Sequence, residues 1–218
     1  MYLIRPRVPK VYEIRDFRSF SISFLGVQWY NFEKIVYYAK KLGGCIMGHL
    51  QGKTAIITGG GRAVLKDGSC GSIGYGIATA YAKEGCNLVL TGRTEQKLLD
   101  AKEELERLYG IKVLTFVANI RKEADCEELV DNVVKQAVET FGGIDVLINC
   151  AQASEAGVPL AFNTTEQFDL AIYSGLYAAF YYMKACYPYL TASQGTVINF
   201  ASSAGMSGGL GQAANGAA

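Results

Sequence analysis

The sequence predicts an α/β protein built on a doubly wound parallel sheet, with helices covering both faces. Short β-rich runs alternate with longer segments of helical periodicity from residue 53 onwards. The runs AIIT, LVL and VLIN are almost entirely apolar, as expected for strands that are covered on both faces. Regular alternation of this kind favours parallel strands joined by right-handed helical crossovers.

The elements follow from the hydrophobic pattern and from the turn residues between them. We expect strands over 54–58, 87–90, 113–118, 144–149 and 196–200, and helices over 73–83, 94–109, 126–141 and 165–190. Gly110 and the pair Gly142-Gly143 are suited to ending two of these helices. Pro188 is expected to interrupt the last helix because proline lacks the backbone donor that helix geometry needs.

Composition narrows the function classes. The 218 residues carry a net charge of +1, which gives no electrostatic reason to expect a nucleic acid or an anionic membrane as a partner. No apolar run reaches the length of a membrane-spanning helix. The 6 cysteines lack CxxC spacing and only 1 histidine is present, so we expect no metal site and reduced thiols in a cytoplasmic protein.

Residues 1–46 differ in character from the rest, being basic and rich in aromatic side chains. We expect an N-terminal extension without a fold of its own, with Met47 as the natural beginning of the domain. Docking of this segment on a partner or a membrane surface is the alternative. It contains no signal-peptide pattern.

The glycine-rich turn after the first strand carries the first functional prediction. The run Gly59-Gly60-Gly61 follows a strand, and a helix begins near Ile73. Strand, glycine turn and helix form the arrangement that binds dinucleotides, because backbone N–H groups then approach a pyrophosphate at a helix N-terminus. A flexible surface loop is the alternative, since glycine is abundant in this chain (25 residues).

Five sequence motifs identify a family resemblance: TGGG at 58–61, SIGYGIA at 72–78, TGR at 91–93, INCAQ at 148–152 and INFASSAG at 198–205. With these motifs the chain resembles the short-chain dehydrogenase/reductases, and within them the bacterial hydroxysteroid dehydrogenases of the 12α type.

The resemblance implies a Rossmann-like domain over 47–218 with five of the family's seven strands, and hence an incomplete domain. It also implies hydride transfer between NAD(H) or NADP(H) and an alcohol or carbonyl. The partner would be a small molecule, such as a steroid or bile acid, and the complete protein would be a homo-oligomer.

The same resemblance assigns cofactor-binding residues. Gly59 and the turn Ser72-Ile73-Gly74 would face the pyrophosphate, although the segment 62–71 looks inserted relative to the family motif. That insertion is either a surface excursion that leaves the turn intact or a distortion of the phosphate site.

Gly92 stands at the place where NAD-preferring relatives carry an acidic residue, and Arg93 follows it. A guanidinium suits a 2′-phosphate, so NADP(H) is favoured over NAD(H), and a merely solvated arginine is the alternative.

Further cofactor contacts would come from the ends of the third and fourth strands. Asn119 and Ile120 would meet the adenine, and Asn149 and Ala151 would line the ribose side. Cys150 is interpreted as a small buried residue rather than a nucleophile, because no partner that could activate it is evident.

The catalytic residues are altered. Ser202 aligns with the family serine that binds the substrate oxygen, and Ser203 is the alternative. The family tyrosine, whose phenol pKa is lowered by a lysine, is expected at position 215, where this chain has Asn215. The helical asparagine of the family falls at Gly175 or Ser174, and the lysine would follow the last residue. We therefore expect a truncated chain that is inactive as it stands.

Three functional hypotheses remain open at this point. The first is an NADP(H)-dependent dehydrogenase of a hydroxysteroid or a similar secondary alcohol. The second is a nucleotide-binding remnant without catalysis. The third is an enoyl-thioester reductase, which the Ala201-Ser202-Ser203 turn disfavours.

Overall fold

A computed structural model describes residues 48–119 and 123–218. The predicted extension over 1–46 lies outside the described residues, as does Ile120, one of the predicted adenine contacts. The strands are β1 (Thr54–Thr58), β2 (Asn87–Gly92), β3 (Val113–Val117), β4 (Val146–Asn149) and β5 (Thr196–Asn199). They form one parallel sheet in the order β3-β2-β1-β4-β5, which confirms the predicted fold class.

Seven α-helices are described. They are α1 (Ile73–Lys83), α2 (Glu95–Tyr109), α3 (Glu123–Phe141), α4 (Thr165–Ala171), α5 (Ala178–Ser193), α6 (Ser203–Ser207) and α7 (Ala213–Ala217). A π-helical segment, Ile172–Tyr177, joins α4 to α5, and a short 3-10 turn, Leu160–Phe162, precedes α4. None of the helices in the described ranges is long and apolar enough to cross a membrane.

The side-chain alternation of the central strands divides the core into two layers. Ala55 and Ile57 pack on one face of the sheet with the buried side chains of α1 and α2, while Ile56 packs on the other face with α3 and α5. Because successive strand residues point to opposite faces, an all-apolar strand can serve both layers. This is the doubly wound arrangement that the apolar runs predicted.

The predicted interruption near Pro188 is wrong. Helix α5 runs through Pro188 to Ser193, and the departure from α-helical geometry lies earlier, at Ile172–Tyr177. Proline removes one helical hydrogen bond, but Tyr182, Cys186 and Leu190 are buried against the sheet and hold the helix in place on both sides of it. Gln194, with a left-handed φ of 53°, then ends the helix.

The insertion over 62–71 folds into a small hairpin on the surface. Gly71 N–H donates to the Ala63 carbonyl at 2.6 Å, and Leu65 N–H donates to the Ser69 carbonyl at 2.9 Å. Val64 and Cys70 form an antiparallel bridge. The two ends of the insertion are thereby held together, so it is an excursion that returns the chain to the start of α1. We call this segment, 62–71, the excursion.

A hydrogen-bonded cluster ties the base of the excursion to α1 and α2. Arg62 Nε donates to Glu104 Oε2 at 2.7 Å, and the Tyr75 hydroxyl donates to Glu104 Oε1. The bonds from Tyr75 and Arg62 hold the pKa of Glu104 below its usual value. Burial and the nearby carboxylate raise the pKa of Tyr75 to about 12.

This cluster makes stability depend on pH in a defined direction. Because the folded-state pKa of Glu104 is depressed, its stabilising contribution is complete above the ordinary value of 4.5 and is lost as the pH falls through the lower folded value. Thermal unfolding followed from about pH 6 to about pH 3 should therefore show a smaller loss of Tm for Glu104→Gln than for the wild type. The matched control is Glu103→Gln, at an exposed neighbouring position, which should lose as much Tm as the wild type. Equal losses in all three proteins would contradict the assigned role of Glu104.

Candidate functional site

A cleft of about 430 Å³ opens at the carboxyl ends of β1, β2 and β4. It lies where the strand order reverses between β1 and β4, the point at which open parallel sheets bind ligands. Seven of the residues predicted to bind a cofactor line this cleft: Gly59, Ser72, Ile73, Gly74, Arg93, Asn119 and Ala151. Residues far apart in the sequence are thus brought to one surface.

The glycine turn closes through a contact that only glycine permits. A Cβ atom at Gly74 would lie 2.3 Å from the carbonyl oxygen of Gly59, well inside the contact limit. Gly59 itself has a left-handed φ of 75° and donates its N–H to the Thr91 carbonyl at 2.8 Å. The turn is therefore intact despite the excursion, and its backbone faces the cleft.

Ser72 has a local structural role at the start of α1. It is the N-cap of α1, and its hydroxyl accepts from Tyr75 N–H at 3.4 Å. The same hydroxyl donates to the Gly61 carbonyl at 3.4 Å. Ser72 consequently links the beginning of α1 to the glycine turn.

Thr58 joins the glycine turn to the loop that follows β4. Its hydroxyl, buried at the end of β1, accepts from the N–H groups of Cys150 and Ala151, both at 2.9 Å. Thr58 begins the TGGG motif but was not among the residues predicted for the site. The available signal was a polar side chain at the last position of an apolar strand, where a buried hydroxyl needs hydrogen-bond partners.

Asn149 does not line the cleft. It is buried, and its Nδ2 donates to Asn199 Oδ1 of β5 at 2.8 Å. Asn149 is the last residue of β4 and bonds across to β5, whereas Cys150 and Ala151 border the cleft. Cys150, predicted to be buried, is half-buried. Partial burial raises the pKa of its thiol, which disfavours the reactive thiolate.

The charge of the cleft is entirely positive. Arg93 and Lys97 are the charged residues among those that line it, and no carboxylate does so within the described ranges. Neither cation forms an ion pair with a described residue. Gly92, at the place where an acidic residue would accept from ribose hydroxyls, also borders the cleft. The arrangement can attract a phosphorylated ligand.

The predicted catalytic residues lie outside the lining of this cleft. Ser202 is the N-cap of α6, and its hydroxyl accepts from Ala204 N–H at 3.2 Å. Asn215 lies in α7, where its Nδ2 donates to Gln212 Oε1 at 3.1 Å. The alternative, Ser203, is the first residue of α6. The side chains of Ser202 and Asn215 thus form local hydrogen bonds in two short helices.

Ser174, in contrast, borders the cleft from the π-helical segment. Its hydroxyl accepts from Ala153 N–H at 2.9 Å and donates to the Leu170 carbonyl at 2.6 Å. Ser174 therefore ties the loop after β4 to the π-helical segment. Gly175, the other candidate for the family's helical asparagine, lies next to Gln152, which also borders the cleft.

The sequence of this chain is similar to those of known proteins. A family model described as short chain dehydrogenase matches residues 53–218. A 12alpha-hydroxysteroid dehydrogenase from Clostridium sp. is 61% identical over 79% of this chain, which spans 64% of that relative's length.

Two solved structures of dehydrogenases have a fold similar to that of this chain. An NAD⁺-bound xylitol dehydrogenase aligns with a TM-score of 0.67 and 27% identity, over 78% of this chain and 60% of that one. An alcohol dehydrogenase from the archaeon Thermococcus sibiricus, complexed with 5-hydroxy-NADP, aligns with a TM-score of 0.65 and 25% identity. The alignment covers 76% of this chain and 64% of that one.

The glycine turn, the sheet order and the sequence matches converge on one family, whose members bind NAD(H) or NADP(H). This chain belongs to the short-chain dehydrogenases.

Proposed function

We propose that the cleft binds NADP(H), and that the type of activity to which this chain belongs is hydride transfer between NADP(H) and the secondary alcohol or ketone of a small molecule, with hydroxysteroids such as bile acids as the substrate class. The chain as it stands is proposed to be inactive. The observation that carries the cofactor proposal is the combination of a glycine turn closed by Gly74 with a cleft whose charged residues are both cations. The substrate class rests on the 61% identity to a 12alpha-hydroxysteroid dehydrogenase.

The residues present fit a phosphorylated dinucleotide. The backbone of Gly59 and of the turn Ser72-Ile73-Gly74 would contact the pyrophosphate, because the close approach of Gly74 to Gly59 leaves no side chain in the way. Arg93 would pair with the 2′-phosphate, for which a planar guanidinium is well suited. Asn119 and Ala151 border the cleft where the adenine and ribose would lie.

When bound, the nicotinamide would supply or accept the hydride. The task of the protein is then to hold the substrate oxygen and to move its proton. Ser202 is proposed to donate a hydrogen bond to that oxygen. Asn215 cannot exchange a proton near neutral pH, so we propose that this chain binds the cofactor without turning over a ketone.

The wider organisation follows the same proposal. Residues 47–218 would form the dinucleotide-binding domain and 1–46 an extension of it. Phe180 and Tyr187 on α5 are 52% and 69% exposed, and all four residues of β5 are exposed, which supports self-association into a homo-oligomer. The buried thiols of Cys86 and Cys186 support a cytoplasmic location.

The cofactor proposal predicts a preference for NADPH over NADH and a strong loss of NADPH affinity when the clearance at Gly74 is removed. NADPH should bind the wild-type chain at least about 10-fold more tightly than NADH, as measured by nucleotide fluorescence or calorimetry. Gly74→Ala should weaken NADPH binding by more than about 30-fold, because the new methyl group would collide with the Gly59 carbonyl. Gly143→Ala is the matched control, since a Cβ at that position meets open space. Equal binding of NADPH and NADH, or unaltered binding by Gly74→Ala, would contradict the proposal.

The altered position 215 gives a separate expectation for activity. With saturating NADPH and a keto-steroid, the chain should oxidise NADPH no faster than a protein-free blank, although binding is measurable in the same sample. An enoyl thioester, offered as the alternative substrate, should give the same result. Turnover of the keto-steroid would show that another group replaces the missing phenol, and turnover of the enoyl thioester alone would favour the competing reaction class.

A further inference from the structure

We propose that Lys97 is a second cation for the 2′-phosphate of the cofactor, and that the excursion holds Lys97 in position. The inference rests on the proposed binding of NADP(H) and adds a specificity residue together with a role for the inserted segment. Neither was visible in the sequence, where Lys97 is one of two lysines on an amphipathic helix.

The first argument is the location of Lys97. It borders the cleft from the first turn of α2, together with Arg93 and Thr94. Lys97 is exposed and forms no ion pair within the described ranges, so its ammonium group is available to a ligand. Arg62, the cation nearest to the glycine turn in sequence, is instead paired with Glu104.

The second argument is charge balance. A phosphate monoester carries a charge of about −1.5 to −2 near neutral pH. A single arginine neutralises only part of that charge, whereas Arg93 and Lys97 together match it. Since no carboxylate borders the cleft among the described residues, the two cations face an anion without internal competition. A ribose 2′-hydroxyl would gain little from this arrangement, so the pair favours NADP(H) over NAD(H).

The third argument concerns what holds Lys97. Arg62 N–H, at the base of the excursion, donates to the Lys97 carbonyl at 2.7 Å. Gly61 packs directly against the same residue, because a Cβ there would lie 3.2 Å from the Lys97 Cβ. The Arg62 side chain donates a hydrogen bond to Glu104, which lies two turns further along α2. The excursion therefore contacts α2 at two places on one face and fixes its first turn beside the glycine turn.

The test separates recognition of the 2′-phosphate from recognition of the rest of the nucleotide. Calorimetry on the full chain would compare adenosine 2′,5′-bisphosphate with adenosine 5′-monophosphate. Lys97→Gln should weaken the bisphosphate by about 5- to 30-fold and the monophosphate by less than about 2-fold. Lys102→Gln removes the same charge from α2 at a position that does not border the cleft, and should change neither.

A further variant addresses the positioning role of the excursion. Glu104→Gln releases the Arg62 side chain and should weaken the bisphosphate selectively, by about 2- to 5-fold. A merely structural role of Glu104 would change Tm and leave the ratio of the two affinities unaltered, and that result would overturn the positioning part of the proposal.

Three outcomes for Lys97 are decisive. A selective loss of the bisphosphate supports the proposal. If Lys97→Gln leaves both affinities unchanged or lowers them equally, while Arg93→Gln selectively weakens the bisphosphate, Lys97 has no such role but the proposed NADP(H) site stands. If the wild-type chain binds neither nucleotide, both proposals are overturned.

Discussion

The close contact between Gly74 and Gly59 is the constraint on which the candidate site depends. The excursion separates the two glycines in sequence, yet a Cβ at Gly74 would come within 2.3 Å of the Gly59 carbonyl. This contact brings the start of α1 to the end of β1 and leaves their backbone facing the cleft. The Thr58 hydroxyl, through the N–H groups of Cys150 and Ala151, adds the loop after β4 to the same assembly.

Most of the fold could be predicted from the sequence because it depends on local periodicity. The strand AIIT was correctly predicted to be covered on both faces, since its successive residues pack into different layers. The interruption expected at Pro188 does not occur, because the local cost of proline is outweighed by the burial of α5 against the sheet, which no local pattern reveals. The π-helical segment left no recognisable sequence signal.

The candidate site could be predicted only where it depends on local motifs. Motif spacing located the glycine turn and Arg93, which belong to single strand–turn–helix units. Lys97, Thr58 and Ser174 were not assigned to the cleft, because each joins it through contacts between distant segments. Asn149, predicted on the ribose side, is buried and its amide bonds to Asn199 of β5. That contact joins two strands that are distant in sequence, so the motif around Asn149 does not reveal it.

The described residues include a well-packed region around β1 and β2 and an exposed region at β5. Around β1 and β2 the strands are buried on both faces and the cleft is lined by residues from several elements. At the other edge, every residue of β5 is exposed, as are Phe180 and Tyr187 of α5. The residues that line the cleft therefore lie mostly in the well-packed region, and the short helices that follow β5 lie outside its lining.

Amide hydrogen exchange of the full chain, with and without NADPH, would show where the nucleotide binds without requiring turnover. We expect slower exchange at 58–61, 72–75 and 91–97, which carry the glycine turn and the two cations. Exchange at 204–216, in the short helices outside the cleft, should be unaltered. Protection confined to 204–216, or none at the glycine turn at saturating NADPH, would rule out nucleotide binding in this cleft.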